Sequence, residues 1–213
     1  NVASNLVAKL PTSPNIYTFD TLQKYYENKF GINQEFLSFK TVSSEYICKI
    51  LQDIKIEKSA GIDSISGKFL KDGAETLAHP FTQICNLSIT LNYFPDKCKL
   101  AKIKPLFKKG SKTDPKNFRP ISLLPLLSKV IEKVIHDQTT EYLDNKRFLY
   151  KFQSGFRKHH SSDTALSFLT NKISCGFDSG LLTWMILIDL QKAFDTIDHE
   201  ILLKKMRFFG FSN

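Results

Sequence analysis

The sequence predicts an α+β fold. Two strand-like pieces flank a polar loop between helical segments, several windows repeat apolar residues at the spacing of a helix face, and one short run is apolar on both faces. The chain has 213 residues, enough for one large domain or two small ones. Its 42% hydrophobic content supports a core of ordinary size.

The elements follow in order. Residues 1–16 contain "PTSPN" and read as a linker, and 19–30, "FDTLQKYYENKF", as a short amphipathic helix stopped by Gly31. "SSEYICKILQDI" (43–54) reads as a helix capped by Ser44, with Tyr46, Ile47, Ile50, Leu51 and Ile54 at helical spacing. A turn follows, then a helix from about 65 to 73 and another over "LAHPFTQICNLSITLNY" (77–93), ending before Pro95. Residues 101–107 and 119–124 read as strands flanking "KKGSKTDPKN", a long hairpin.

"PLLSKVIEKVIHDQTTEYL" (125–143) places Leu126, Leu127, Val130, Ile131, Val134 and Ile135 on one helix face, with Pro125 in its first turn. "QSGFRKHHSS" is a polar loop, and "DTALSFLTNKI" (163–173) is a helix with Ala165, Leu166, Leu169 and Ile173 inward. "LLTWMILIDL" (181–190) reads as a strand apolar on both faces, hence central in its sheet. "DHEILLKKMRFFG" (198–210) is a helix with Asp198 as N-cap and Gly210 past its end.

Charge is concentrated. Residues 97–119 hold nine Lys or Arg against Asp114 alone, a local +8 within a chain total of +9. A segment this basic points to a polyanion, nucleic acid or nucleotide phosphates. The plain alternative is a solvated basic loop; the prolines, the glycine and the apolar "IKPLF" and "FRPISLL" around the charge favour the polyanion. Cys48, Cys85, Cys98 and Cys175 form no CxxC pair, so zinc binding and disulfide partners are not expected, and reduced thiols in an intracellular protein are. No apolar run is long enough for a transmembrane helix, and no membrane partner is expected.

Asp189 ends the apolar run. A carboxylate at the tip of a buried strand needs a basic partner or a metal ion. By spacing alone, an Asp that caps the following turn is the plainer reading, and a ligand for a hard cation is the other. The surrounding residues add to this. "KSAGIDSISGKFLK", "YFPDKCKLAKIKPLFKKGSKTDPKNFRPISLLPLLSKVIEKVI", "LYKFQSGFRKHHSSDTAL" and "LIDLQKAFDTIDHEILLKKM" occur in that order. Together they resemble successive blocks of the reverse transcriptases of non-LTR (LINE-like, jockey-type) retrotransposons. The resemblance covers roughly residues 45–213.

That resemblance implies a right-hand polymerase, here the fingers and a partial palm. Residues 1–44 would be an N-terminal linker and helix, 45–98 a helical region upstream of the polymerase core, and 99–213 the incomplete polymerase domain. It implies that Asp189 binds catalytic metal, Mg2+ with Mn2+ as a substitute, two ions in the complete enzyme, and that the Leu190 carbonyl assists. Phe194 would be the sugar gate, a ring that leaves no room for a 2′-hydroxyl. Arg119 would contact the triphosphate of the dNTP, with Lys108 or Lys109, or Lys112 as a third possibility, from the loop before it. Lys112, Gln153, Gly155 and Arg157 would touch the RNA template or DNA primer. Asp195 and Asp198 are weaker metal candidates, and Asp198 is better placed as a cap. His159 and His160 read as polar loop residues. Gly61 and Asp63 belong to the upstream block, either near the template or in a plain turn before a helix.

The family's second carboxylate pair, "[YF]xDD", does not occur in the sequence, nor does "PQG". One carboxylate does not hold two divalent ions about 3.5–4 Å apart. The chain is therefore expected to be a polymerase fragment that does not polymerise alone, with the apolar edge of residues 182–189 exposed. The alternative is a non-catalytic RNA-binding remnant. An intron-type reverse transcriptase shares the "GFR" block but fits residues 107–132 less well. Action in the nucleus, at integration, is implied by the family alone.

Overall fold

The computed structural model describes residues 36–57, 59–190, 193–194 and 196–211, together with 24 and 28. The linker over 1–16 lies outside the described residues, as does most of the helix expected over 19–30, of which Lys24 and Asn28 are described and helical. The chain divides into two compact units, Phe39–Lys146 and Asn1–Ser38 with Arg147–Asn213.

In the first unit, α1 (Ser44–Gln52), α2 (Gly67–Asp72), α3 (Ala74–Thr90) and the single turn α4 (Asp96–Lys99) precede a hairpin. Strands β1 (Lys102–Phe107) and β2 (Phe118–Leu123) form it, and the long helix α5 (Leu126–Asn145) follows. Ser43, not Ser44, caps α1. Its backbone is the extended one of the pair, and its hydroxyl accepts from the Tyr46 amide at 3.3 Å. Helix α3 begins three residues earlier than expected, at Ala74, and Pro80 lies inside it, beyond its first turn. Pro80 offers no N–H to the carbonyl four residues back, yet the helix continues to Thr90 because Ala74, Ala78, Thr82 and Cys85 are buried along one face.

The core of this unit joins Ile47 and Leu51 of α1, Leu70 of α2, Ala74 and Cys85 of α3, Cys98 of α4, and Leu126, Val130, Ile131 and Val134 of α5. The α5 face read from the periodicity is the one buried; Leu127 and Ile135 lie at its half-buried margin. Polar straps reinforce it. Asn86 exchanges two hydrogen bonds with the Val42 backbone at 2.8 and 3.0 Å, and Gln138 does the same with Lys40 at 2.7 and 2.9 Å. These amide side chains satisfy the backbone of that segment as a neighbouring strand would. A Cβ on Gly61 would stand 2.6 Å from the Pro125 nitrogen, so only glycine lets this turn rest on the start of α5.

In the second unit, Leu37 pairs with Phe211 in a parallel bridge, its amide donating to the Gly210 carbonyl at 2.7 Å. Helix α6 (Ser162–Asp178) opens with a capping box in which Ser161 and Thr164 serve each other's backbone amides. It closes with Gly180 at φ +68, the Gly180 amide bonded to the Phe177 carbonyl and the Leu181 amide to Gly176, a Schellman motif. Helix α7 (His199–Phe208) is capped by Asp198, which accepts from Glu200 and Ile201 at 2.9 and 3.1 Å. Gly210 follows its end at φ +83.

Two expectations are corrected in this unit. Residues 181–190 form no strand: they carry no regular structure and are exposed throughout, Trp184 at 90%. β-Branched and aromatic residues favour a pleated strand only when a neighbour supplies hydrogen bonds, and among the described residues no other strand lies beside them. The exposure expected for this segment is present, without the strand. Helix α6 forms and runs five residues further than the sequence suggested, but Leu166 and Leu169 are exposed and none of its residues is fully buried.

Candidate nucleotide and nucleic-acid interface

The β1–β2 hairpin sorts its side chains by register. Lys102 faces Leu123, Lys104 faces Ile121 and Leu106 faces Arg119, so three cations share one side. Ile103, Pro105 and Phe107 face Ser122, Pro120 and Phe118 on the other side, which is apolar apart from the serine. There the rings of Phe107 and Phe118 meet edge-on with centroids 5.5 Å apart.

The loop closing the hairpin is held by its own hydrogen bonds. The Lys108 amide donates to the Asn117 carbonyl at 2.8 Å, and Asn117 Nδ2 donates to the Ser111 carbonyl at 2.9 Å. Asp114 accepts from the Lys116 amide at 2.9 Å and caps a short 3₁₀ turn, Pro115–Asn117. Gly110 takes φ +90, and a Cβ there would meet Asn117 Nδ2 at 2.7 Å. The loop thus presents Lys108, Lys109 and Lys112, all exposed, from a fixed backbone. Lys112 turns to the apolar side, its ammonium 5.7 Å from the Phe107 centroid, beside an open cavity of about 430 Å³ lined by Pro105, Pro115, Phe118 and Pro120. Arg119 stands on the opposite, basic side. The hairpin therefore separates the two cations that the sequence places seven residues apart.

The remaining candidates belong to the second unit. Gln153 Nε2 donates to the Gly155 carbonyl at 3.1 Å, and Arg157 donates to the Tyr150 carbonyl at 3.4 Å, so both side chains shape their own loop. Gly155 has nothing within 4 Å of where a Cβ would stand, so no close approach by a described residue explains this glycine. The left-handed residue is its neighbour, Phe156, at φ +60. The Phe156 ring meets Phe194 at 5.9 Å and 85°, an edge-to-face pair in which both rings are exposed. Sequence reasoning passed over Phe156; the signal available was an aromatic side chain in the middle of a polar loop.

Asp189 and Leu190 are exposed in the extended segment, and Asp198 is committed to capping α7. Asp195 lies outside the described residues. Asp63 accepts from the Ile65 amide at 3.2 Å, the geometry of a turn before α2. Among the described residues no group of three or more His, Cys, Asp or Glu gathers to hold a metal ion. The described residues therefore do not by themselves make up a two-ion centre. No helix among them is long and apolar enough to cross a membrane, and the four cysteines are free.

The family model for reverse transcriptase (RNA-dependent DNA polymerase) matches residues 107–213. The chain is 30% identical over 195 residues to the probable RNA-directed DNA polymerase from transposon BS of Drosophila melanogaster, covering 90% of this chain and 22% of that protein. It is 27% identical over 187 residues to the RNA-directed DNA polymerase from mobile element jockey of Drosophila melanogaster, covering 87% and 20%. It is 26% identical over 159 residues to a putative 115 kDa protein in type-1 retrotransposable element R1DM of the same organism, covering 74% and 15%. The chain thus spans about a fifth of the length of the curated relatives it matches. Reverse transcriptases as a family use divalent metal ions, an RNA template, a primer and nucleotides. The chain belongs to the reverse transcriptase (RNA-dependent DNA polymerase) family, and specifically to that of the non-LTR retrotransposons.

Proposed function

We propose that this chain is the fingers and the start of the palm of a polymerase that extends a DNA primer on an RNA template. The observation that carries the reading is the hairpin: an exposed Arg119 and a hydrogen-bonded loop of lysines, within the segment that matches the family. Arg119 grips triphosphate oxygens with paired hydrogen bonds from its planar guanidinium, and Lys108 or Lys109 adds a point charge. These groups neutralise charge that develops at the transferred phosphate. Phe194 rejects a ribose by occupying the space its 2′-hydroxyl needs. Lys112, Gln153, Gly155 and Arg157 lie along template or primer, and Asp189 with the Leu190 carbonyl contributes to a Mg2+ site whose other ligands come from outside the described residues. Residues 99–213 are the polymerase part, and the reaction takes place in the nucleus.

The test is primer extension on an RNA template with Mg2+, comparing these 213 residues with the full-length polymerase that carries them. Extension by the longer protein, abolished by Asp189→Ala and reduced by Arg119→Ala, is the expected result. Salt-sensitive RNA binding with no extension by either protein would instead favour a non-catalytic remnant.

A further inference from the structure

We propose that Phe156 is a positioning residue for Phe194, holding the ring that discriminates between deoxyribose and ribose. The inference rests on the reading of Phe194 as sugar gate and adds a second residue to that site. Three observations carry it.

The two rings meet edge-to-face, centroids 5.9 Å apart at 85°. Phe156 is 91% exposed, so its ring fills no core and its presence has no explanation in folding. Its backbone sits at φ +60, a conformation that a bulky side chain rarely adopts and that glycine accepts without strain. The adjacent glycine, Gly155, is not among the residues at positive φ and has open space around its Cβ position. The loop therefore places its glycine one position away from the site that most needs one and keeps an aromatic there. The left-handed turn directs that ring onto Phe194.

An exposed phenyl group on a loop samples several rotamers. A steric gate works only while its ring stays where the 2′-hydroxyl would go. The edge of a second ring removes some of those rotamers, and so sharpens selection without touching the nucleotide. Phe156 therefore acts through Phe194 and is not itself a catalytic residue.

Phe156→Gly separates the ring from the backbone, because glycine keeps the left-handed turn and deletes the contact. In the full-length polymerase, Phe156→Gly should lower the ratio of kcat/KM for dNTP over rNTP roughly tenfold while dNTP incorporation persists. Phe156→Tyr should restore the ratio. In a Phe194→Ala background, Phe156→Gly should cause no further loss. A Phe156→Gly enzyme with unchanged discrimination overturns the inference. Discrimination unaffected even by Phe194→Ala overturns the sugar-gate reading beneath it. A readout independent of activity uses the 213-residue chain with 4-fluorophenylalanine at position 194. Its 19F resonance should shift and narrow on Phe156→Gly, and a resonance that does not change counts against the contact.

Discussion

The Tyr46 hydroxyl donates a 2.6 Å hydrogen bond to Asp137 Oδ2, tying α1 to α5 across 91 residues of sequence. Asp137 also accepts from Lys133 at 2.6 Å and lies 3.2 Å from His136 Nδ1. Burial pushes the Asp137 carboxyl up, but the bonds from Lys133, Tyr46 and His136 outweigh it and hold the group below the usual carboxylate range. Burial first, and Asp137 second, push the Tyr46 phenol well above its ordinary value.

Those two shifts predict a bounded pH range. Asp137 is more acidic when folded, so its contribution is present above its unfolded value of 3.8 and is lost as pH falls through the lower folded value. Tyr46 is less acidic when folded, so its contribution is present below its unfolded value of 10.0 and is lost as pH rises beyond it. Tyr46→Phe should destabilise the first unit by about 1 kcal/mol at neutral pH and flatten the alkaline limb, read from urea midpoints across pH.

Gly61→Ala should destabilise the same unit by about 1–3 kcal/mol, because the new methyl group meets backbone of Leu124 and Pro125 that cannot step aside. The urea midpoint should fall with the slope unchanged. A midpoint that does not move would show that the turn does not rest on α5.

The thiols should separate by reactivity. Burial, and then the neighbouring Cys98, push the Cys85 thiol up to about 11, whereas Cys175 is exposed. A disulfide reagent at pH 8 should modify Cys175 first. Cys85, with roughly one thiolate per 10³ molecules at that pH and no access, should react only on unfolding.

The loop lysines should govern salt dependence. Replacing Lys108, Lys109 and Lys112 by Ala removes three cations and should reduce the slope of log K against log salt for single-stranded RNA by about 2. Unfolding midpoints should stay within experimental error, since all three side chains are exposed.

Gly110→Ala should act through shape rather than charge. An alanine at φ +90 is strained by about 1–2 kcal/mol and crowds Asn117. Amide exchange at Lys108 and Asn117 should accelerate while the α1 and α5 core amides stay protected.

What was legible in the sequence was local. The α5 face repeats its apolar residues over several turns, so Leu126, Val130, Ile131 and Val134 declared themselves, and the caps at Asp198 and Gly210 did the same. The hairpin was legible because two short runs flank a polar loop that holds a Gly, an Asp-Pro pair and an Asn. Long-range requirements were not legible. Trp184, Ile186 and Ile188 are side chains that a strand prefers, but a strand exists only beside another, and that partner is not written in its own residues. Leu166 and Leu169 have helical spacing, yet spacing does not say what packs against it. Positions of the site candidates along the chain were readable; that Lys112 and Arg119 lie on opposite sides of the hairpin required the register.

Pro105 and Pro120 stand opposite each other in that hairpin. With Lys108 bonded to Asn117, the alternation of the ladder makes this a pair without mutual hydrogen bonds, whose N–H groups would point outward. Neither proline has an N–H to offer. A two-stranded ribbon has two open edges, and each here lacks a donor at mid-strand, where a third strand would look for one. The missing donors disfavour pairing of a further strand, a second copy's included, at either edge of the basic hairpin.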